Sequence, residues 1–180
     1  MQPTLMTFLI AMLPVIELRG AIPFGVSQGL NIWLSYAISF SACVLVCIIL
    51  LAFLVPVFNL MQRIKVFNRF VVYFEEKFQT KATTLNGRAM LGLFIFATLP
   101  LPLTGVWTAS GIAVFVGVPY MRALVPIVLG TALSGLIIVL ITTLFGEHAA
   151  YVFHTFLVLA LVVLAVICVI ALRPKTRTHQ

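Results

Sequence analysis

Leu13-Pro14-Val15-Ile16-Glu17-Leu18-Arg19-Gly20-Ala21-Ile22-Pro23 breaks an apolar segment at its centre with two prolines, a glycine and two opposite charges. Proline removes a backbone donor and glycine frees the chain, so this stretch cannot be one regular spanning helix. A second segment is broken in the same way, at Leu99-Pro100-Leu101-Pro102-Leu103-Thr104-Gly105-Val106-Trp107-Thr108. Each break leads into a long uninterrupted apolar run. Inside a bilayer, unwound backbone survives only where it is buried in protein or lines a wet cavity. A matched pair of such breaks points to a transport site between two repeats.

The composition is that of a bilayer protein. Hydrophobic residues make up 63% of the chain and charged residues 8%, against about 25% charge in soluble domains. Gly20 to Gln62, Ala123 to Gly146 and His148 to Leu172 carry no Lys, Arg, Asp or Glu. Each run exceeds the roughly 20 residues that span a hydrocarbon core. The segment from Thr4 to Ile16 lacks a basic start and runs into Glu17 and Arg19, so it is not read as a signal peptide.

Topology follows from length and charge. A helix filling the 33 uncharged residues between Arg88 and Arg122 would reach roughly 50 Å at about 1.5 Å per residue. That is too long for one crossing of about 30 Å and too short for two crossings and a turn. A re-entrant hairpin with its tip at Pro100 to Gly105 fits, and Pro3 to Gly29 has the same character with its tip at Pro14 to Pro23. Long helices are expected at Leu30 to Pro56, Pro119 to Phe145 and Ala149 to Leu172. Leu13-Pro14 matches Leu99-Pro100, and Gly29-Leu30-Asn31 matches Gly117-Val118-Pro119.

The expected fold is therefore an all-α integral membrane protein with two inverted repeats. Each repeat is a re-entrant helical hairpin plus a transmembrane helix. They are joined by an amphipathic interfacial helix and followed by one extra C-terminal transmembrane helix. A single membrane domain, 1–180, divides into repeat 1 (1–56), a cytoplasmic amphipathic segment (57–88), repeat 2 (89–146), the C-terminal transmembrane helix (147–172) and a tail (173–180). The amphipathic stripe is Leu60, Ile64, Phe67, Val71, Phe74 and Phe78, with Arg63, Lys65, Arg69, Glu76 and Lys77 off it. This arrangement puts ten of the eleven basic residues on one side and only Glu147 and His148 in the opposite loop. The positive-inside rule then makes that side, and the C-terminus, cytoplasmic. The expected location is the cytoplasmic membrane of a prokaryote.

Few residues can carry chemistry. A charged side chain deep in a bilayer costs at least about 2.5–3.5 kcal/mol and normally serves ions, protons or substrate. Glu17 is the candidate proton-coupling group. Arg19, permanently cationic, can hold an anionic headgroup through two hydrogen bonds. The second break supplies Thr104, Gly105, Trp107, Thr108 and Ser110. A half-helix starting near Gly105, and another opened by Gly20, would aim free N–H groups at the centre and form an anion site. The alternative roles are ordinary capping by Thr104, interfacial placement of Trp107 and a plain ion pair fixing the first break. Arg122 and His154 are further candidates, for substrate contact and a proton relay; a cytoplasmic anchor is the competing role for Arg122. Gly130, Ser134 and Gly135 read as packing. Cys43, Cys47 and Cys168 lie in apolar runs with no nearby His or carboxylate to complete a metal site, so they too read as packing. No cofactor, metal or nucleic acid is expected. The chain carries no phosphate-loop motif, nucleophile elbow or zinc motif, so an enzyme is not expected.

The string from Leu13 to Pro23 resembles the signature of bacterial and archaeal proteins labelled small multidrug export proteins. Leu101-Pro102-Leu103-Thr104-Gly105-Val106-Trp107-Thr108-Ala109-Ser110 resembles that family's second signature, in the same order. The family is similar in plan to the DedA membrane proteins, built from paired re-entrant hairpins and helices. The DedA resemblance implies transport of lipid phosphates, in particular return of undecaprenyl phosphate, with acidic and arginine residues in the hairpins and proton coupling. The chain departs from that pattern in having no arginine in Gly105-Val106-Trp107-Thr108.

Three functions compete at this point. The first is proton-coupled translocation of an anionic amphiphile such as a lipid phosphate through Glu17 and Arg19. The second is proton-coupled export of lipophilic cations, which a fixed Arg19 disfavours unless it is neutralised. The third is a non-transporting membrane scaffold. Membrane lipids, the amphiphile and protons are the expected partners, and homo-oligomerisation stays open.

Overall fold

The computed structural model describes residues 2–61, 82–101 and 103–145, and beyond them Tyr151, Thr155, Val158 and Val162. Apart from Leu60, the predicted amphipathic stripe lies outside the described residues. So do Glu147, His148, His154 and most of the predicted C-terminal helix.

The described residues form helices and no strand. Their order is α1 (Pro3–Met12), α2 (Glu17–Ser27), α3 (Ile32–Met61), α4 (Ala82–Thr98), α5 (Val106–Phe115) and α6 (Tyr120–Phe145). Proline sets both breaks. Pro3 sits at the first position of α1, where its missing N–H costs nothing. Leu13, next to Pro14, is extended at φ −70° and ψ 137° and ends that helix, because a following proline disfavours the helical region. α4 likewise ends at Thr98, just before Leu99-Pro100. Neither break then closes on a glycine: Glu17 (φ 49°) and Leu103 (φ 68°) take the left-handed conformation. Left-handed glycines, Gly29 (φ 85°) and Gly117 (φ 74°), turn the chain into the long helices α3 and α6.

The two halves thus repeat one order: helix, break, short helix, glycine turn, long helix. Leu13, Pro14 and Glu17 each stand 86 positions before Leu99, Pro100 and Leu103. At 10, 11 and 10 residues, α1, α2 and α5 are each about 15 Å long, roughly half a hydrocarbon core. In contrast, Ile32–Phe58 and Tyr120–Leu144 are long and apolar enough to cross a membrane.

Three boundaries differ from the sequence reading. The first break narrows from Pro14–Pro23 to Leu13–Ile16, because α2 starts at Glu17 and carries Pro23 inside it. Gly20 therefore does not open a half-helix; its N–H already donates to Ile16 O. The first long helix extends past Pro56 to Met61, and α4 begins at Ala82.

The long helices back the short ones. α1 and α2 pack on α3, α4 packs on α6, and α5 lies against both long helices. The interior holds Leu18, Ile22, Leu51, Val106, Ile127 and Ile138, while Phe53, Leu129 and Leu144 face outward. Two glycines of α6 allow close seating. A methyl on Gly130 would stand 2.6 Å from Phe94 O and 2.8 Å from Ala97 Cβ, and one on Gly135 would strike Leu18 and the Tyr36 ring. Tyr36 ties α3 to α6 by donating its hydroxyl to Ala132 O at 3.2 Å.

Candidate functional site

Glu17 and Arg19 meet at the first break, 2% and 1% exposed. On a regular helix, residues two apart point in nearly opposite directions. The left-handed φ of Glu17 puts it outside that regular register, and its carboxylate meets the guanidinium. Arg19 Nη1 donates to Glu17 Oε2 at 3.1 Å.

Each member of the pair also grips the second break. Arg19 Nη2 donates to Leu99 O at 2.9 Å and Ala97 O at 3.4 Å. These carbonyls belong to the end of α4, where the last turn leaves acceptors unpaired and the helix dipole is negative. Glu17 Oε1 accepts from the Trp107 N–H at 3.4 Å, and the Val106 amide also points at it. Those amides are the positive start of α5, whose own cap, Gly105, offers no side-chain acceptor. The carboxylate from one half therefore caps a helix of the other, and the guanidinium caps that half's preceding helix. Trp107 closes the clasp in reverse, donating its ring N–H to Met12 O, the end of α1, at 3.2 Å.

Glycine at 105 makes this possible. A methyl there would coincide with the Glu17 carboxylate. Thr104 does not cap α5; its hydroxyl turns back to Leu99 O and Leu101 O, both at 2.8 Å. The Thr108 hydroxyl donates to Leu103 O and reaches Gly105 O at 3.3 Å. Ser110 is buried and lies 3.9 Å from Cys47 Sγ. Arg122 is exposed at the start of α6. A cavity of about 410 Å³ between α1 and α3, lined by Gln2, Leu5, Phe8 and Ser41 among others, includes none of the predicted site residues.

The structure brings together Glu17, Arg19, Gly105 and Trp107, with Gly20, Thr104, Thr108 and Ser110 on the same two short segments. The sequence reading missed Cys43 and the carbonyls of Met12, Ala97 and Leu99. Cys43 sits at the first break, where its thiol donates to Ala11 O at 3.5 Å and faces the Leu18 N–H. The four-residue spacing of Cys43 and Cys47 was the available signal. Backbone acceptors carry no side-chain signal.

Chemically, one carboxylate is held between a guanidinium and a helix N-terminus. Arg19 Nε is buried and still without a partner. Removing one member of a buried pair strands the other at a cost of about 3–5 kcal/mol.

No curated protein and no solved structure matches the chain. A family model described as "Putative small multi-drug export protein" matches residues 17–137, from Glu17 through the middle of α6. The chain belongs to that family of membrane proteins.

Proposed function

We propose that the protein is a proton-coupled transporter of an anionic amphiphile, and that Glu17 occupies the seat of the substrate's anionic group. One observation carries this reading: the Glu17 carboxylate lies against both Arg19 and the amides of Val106 and Trp107. A guanidinium beside a helix N-terminus is the chemistry that holds a phosphate oxygen. An incoming phosphate displaces the carboxylate, and Glu17 leaves the seat carrying a proton. The loaded site then holds one anion and one proton together, so the two move in the same direction. Undecaprenyl phosphate is a substrate of this class.

The same reading takes the two halves as inverted repeats and α1–α2 and α4–α5 as re-entrant hairpins. Half-thickness helices and the one-sided placement of basic residues support it. The C-terminus is then cytoplasmic, in the inner membrane of a prokaryote, and the proton gradient drives the lipid phosphate inward.

A second reading, export of lipophilic cations, has its own support. Ala97 O and Leu99 O hold Arg19 independently of Glu17, so the carboxylate can turn to a cation, and the family's description names drug export. There Glu17 releases a proton as substrate binds, so proton and drug move oppositely.

Titration of the purified Trp33→Phe protein, read by Trp107 fluorescence, separates the two. Undecaprenyl phosphate is expected to give a saturable change, with proton uptake, that Arg19→Ala abolishes. Binding of a quaternary cation alone, lost in Glu17→Gln, would establish the exporter instead. Equal phosphate binding with and without Arg19 would sink the first reading.

A further inference from the structure

Ser35, Ser39, Cys43 and Cys47 recur every four residues along α3 and form one of its faces. All four are buried. The face can be traced along the first half. A methyl on Gly25, near the Gly29 turn, would strike Ser35 Oγ and come within 3.0 Å of Thr7 Oγ1. Two turns on, Cys43 meets Ala11 O and the Leu18 N–H, between Glu17 and Arg19. One turn further, Cys47 meets Ser110 of α5. The face therefore runs from the Gly29 end of the α1–α2 pair to the Glu17–Arg19 centre.

Its two hydroxyls differ from most described helical hydroxyls. Serine and threonine in helices often donate to the carbonyl four residues back. Thr7, Ser41, Thr98, Thr131 and Thr143 do so. Ser35 Oγ and Ser39 Oγ have no partner, and both residues are fully buried. An unpaired buried hydroxyl is unfavourable, and a buried water with several polar partners removes the penalty.

The second half provides an internal control. Counted from the left-handed glycines, Ser35 corresponds to Ala123 and Ser39 to Ile127. Both are as buried as the serines. Packing at these positions is therefore satisfied by apolar side chains. Ser134 and Thr142 of α6 are also unpartnered, but buried Ile138 stands between them on the same face. Glu17 and Arg19 are the charged residues of α1, α2, α3 and α5, and Tyr36, Cys43 and Cys47 their other titratable ones.

We propose that the Ser35–Ser39 face holds a file of water entering near the Gly29 end of the first helix pair and ending at Cys43 and the Glu17–Arg19 centre, with no counterpart in the second half. The water file stands on this geometry alone; its use as the proton entry to Glu17 rests on the transport reading. By the distribution of basic residues it opens on the non-cytoplasmic side, where a driving proton enters.

Silver ion, a small thiol-reactive cation that travels with water, tests the file in proteoliposomes. Ser35→Cys, Ser39→Cys, Ala123→Cys and Ile127→Cys are exposed to silver, then unfolded and alkylated, and mass spectrometry reads each cysteine separately. Cysteines at 35 and 39 are expected to be protected about tenfold faster than those at 123 and 127. Ser39→Val is expected to slow protection of native Cys43 while leaving the cysteine of Ser35→Cys reactive. The Ser→Cys changes replace one atom, and gel filtration confirms folding. Equal rates at all four positions would overturn the file. That result alongside proton-coupled flux leaves the transport reading intact, whereas a file without flux removes that reading and keeps the file.

Discussion

Alanine at Gly105 tests the joint between the two halves. Gly105 has φ −91°, outside the left-handed region, so the demand is for space rather than conformational freedom. A methyl there coincides with the Glu17 carboxylate. That carboxylate is no free end: Arg19 Nη1 holds it at 3.1 Å and the Trp107 N–H at 3.4 Å. Displacing it leaves Arg19, 1% exposed, without its counter-charge, and separating such a pair costs about 3–5 kcal/mol. At about 2–4 °C per kcal/mol for a chain of this size, Tm falls by roughly 6–20 °C. Gly111→Ala, in the same helix, meets nothing within 4 Å. Alanine favours a helix over glycine by about 0.5–1 kcal/mol, so that variant holds or raises Tm. Thermal unfolding in detergent, followed by tryptophan emission, reads both. Adding Glu17→Asp to Gly105→Ala withdraws the carboxylate by one methylene and is expected to recover part of the loss. Equal Tm values for Gly105→Ala and Gly111→Ala would show that the space at Gly105 does not hold the two halves together.

Three further outcomes are expected. Gly130→Ala drives a methyl against Phe94 O and Ala97 Cβ, and overpacking of this kind lowers stability by about 1–3 kcal/mol in a denaturation curve. Trp107→Phe leaves Met12 O without its donor, a loss of about 1–3 kcal/mol by the same measurement. Leu103→Gly relieves a left-handed leucine and is expected to stabilise by about 1–2 kcal/mol; an unchanged or lower Tm would contradict the strain.

Much of the plan was legible because proline and charge act locally. α1 and α4 each end two residues before a proline, Pro14 and Pro100, and two of the uninterrupted apolar runs became α3 and α6. Charge within an apolar run marked Glu17 and Arg19 as interior residues. What was not legible depends on contacts between distant segments. Pro23 reads as a breaker, yet α2 runs through it, so the first tip is shorter than proline alone implies. Glu17 caps a helix 90 residues away, and nothing in the local sequence of either segment announces that. The free amides expected at the start of α5 meet the chain's own carboxylate. The place of Cys43 at the first break was not legible either, because its neighbours there come from α1 and α2.

In the proposed function Glu17 and an anionic substrate share one seat, so that substrate and proton travel together. The direct measurement is flux of undecaprenyl phosphate into liposomes holding the purified protein, with internal pH followed at the same time. Protons are expected to enter with the lipid phosphate, and Glu17→Gln is expected to fold but lose the dependence of flux on pH. Proton movement opposite to the substrate, or a Glu17→Gln protein with the pH dependence of the native chain, would contradict it.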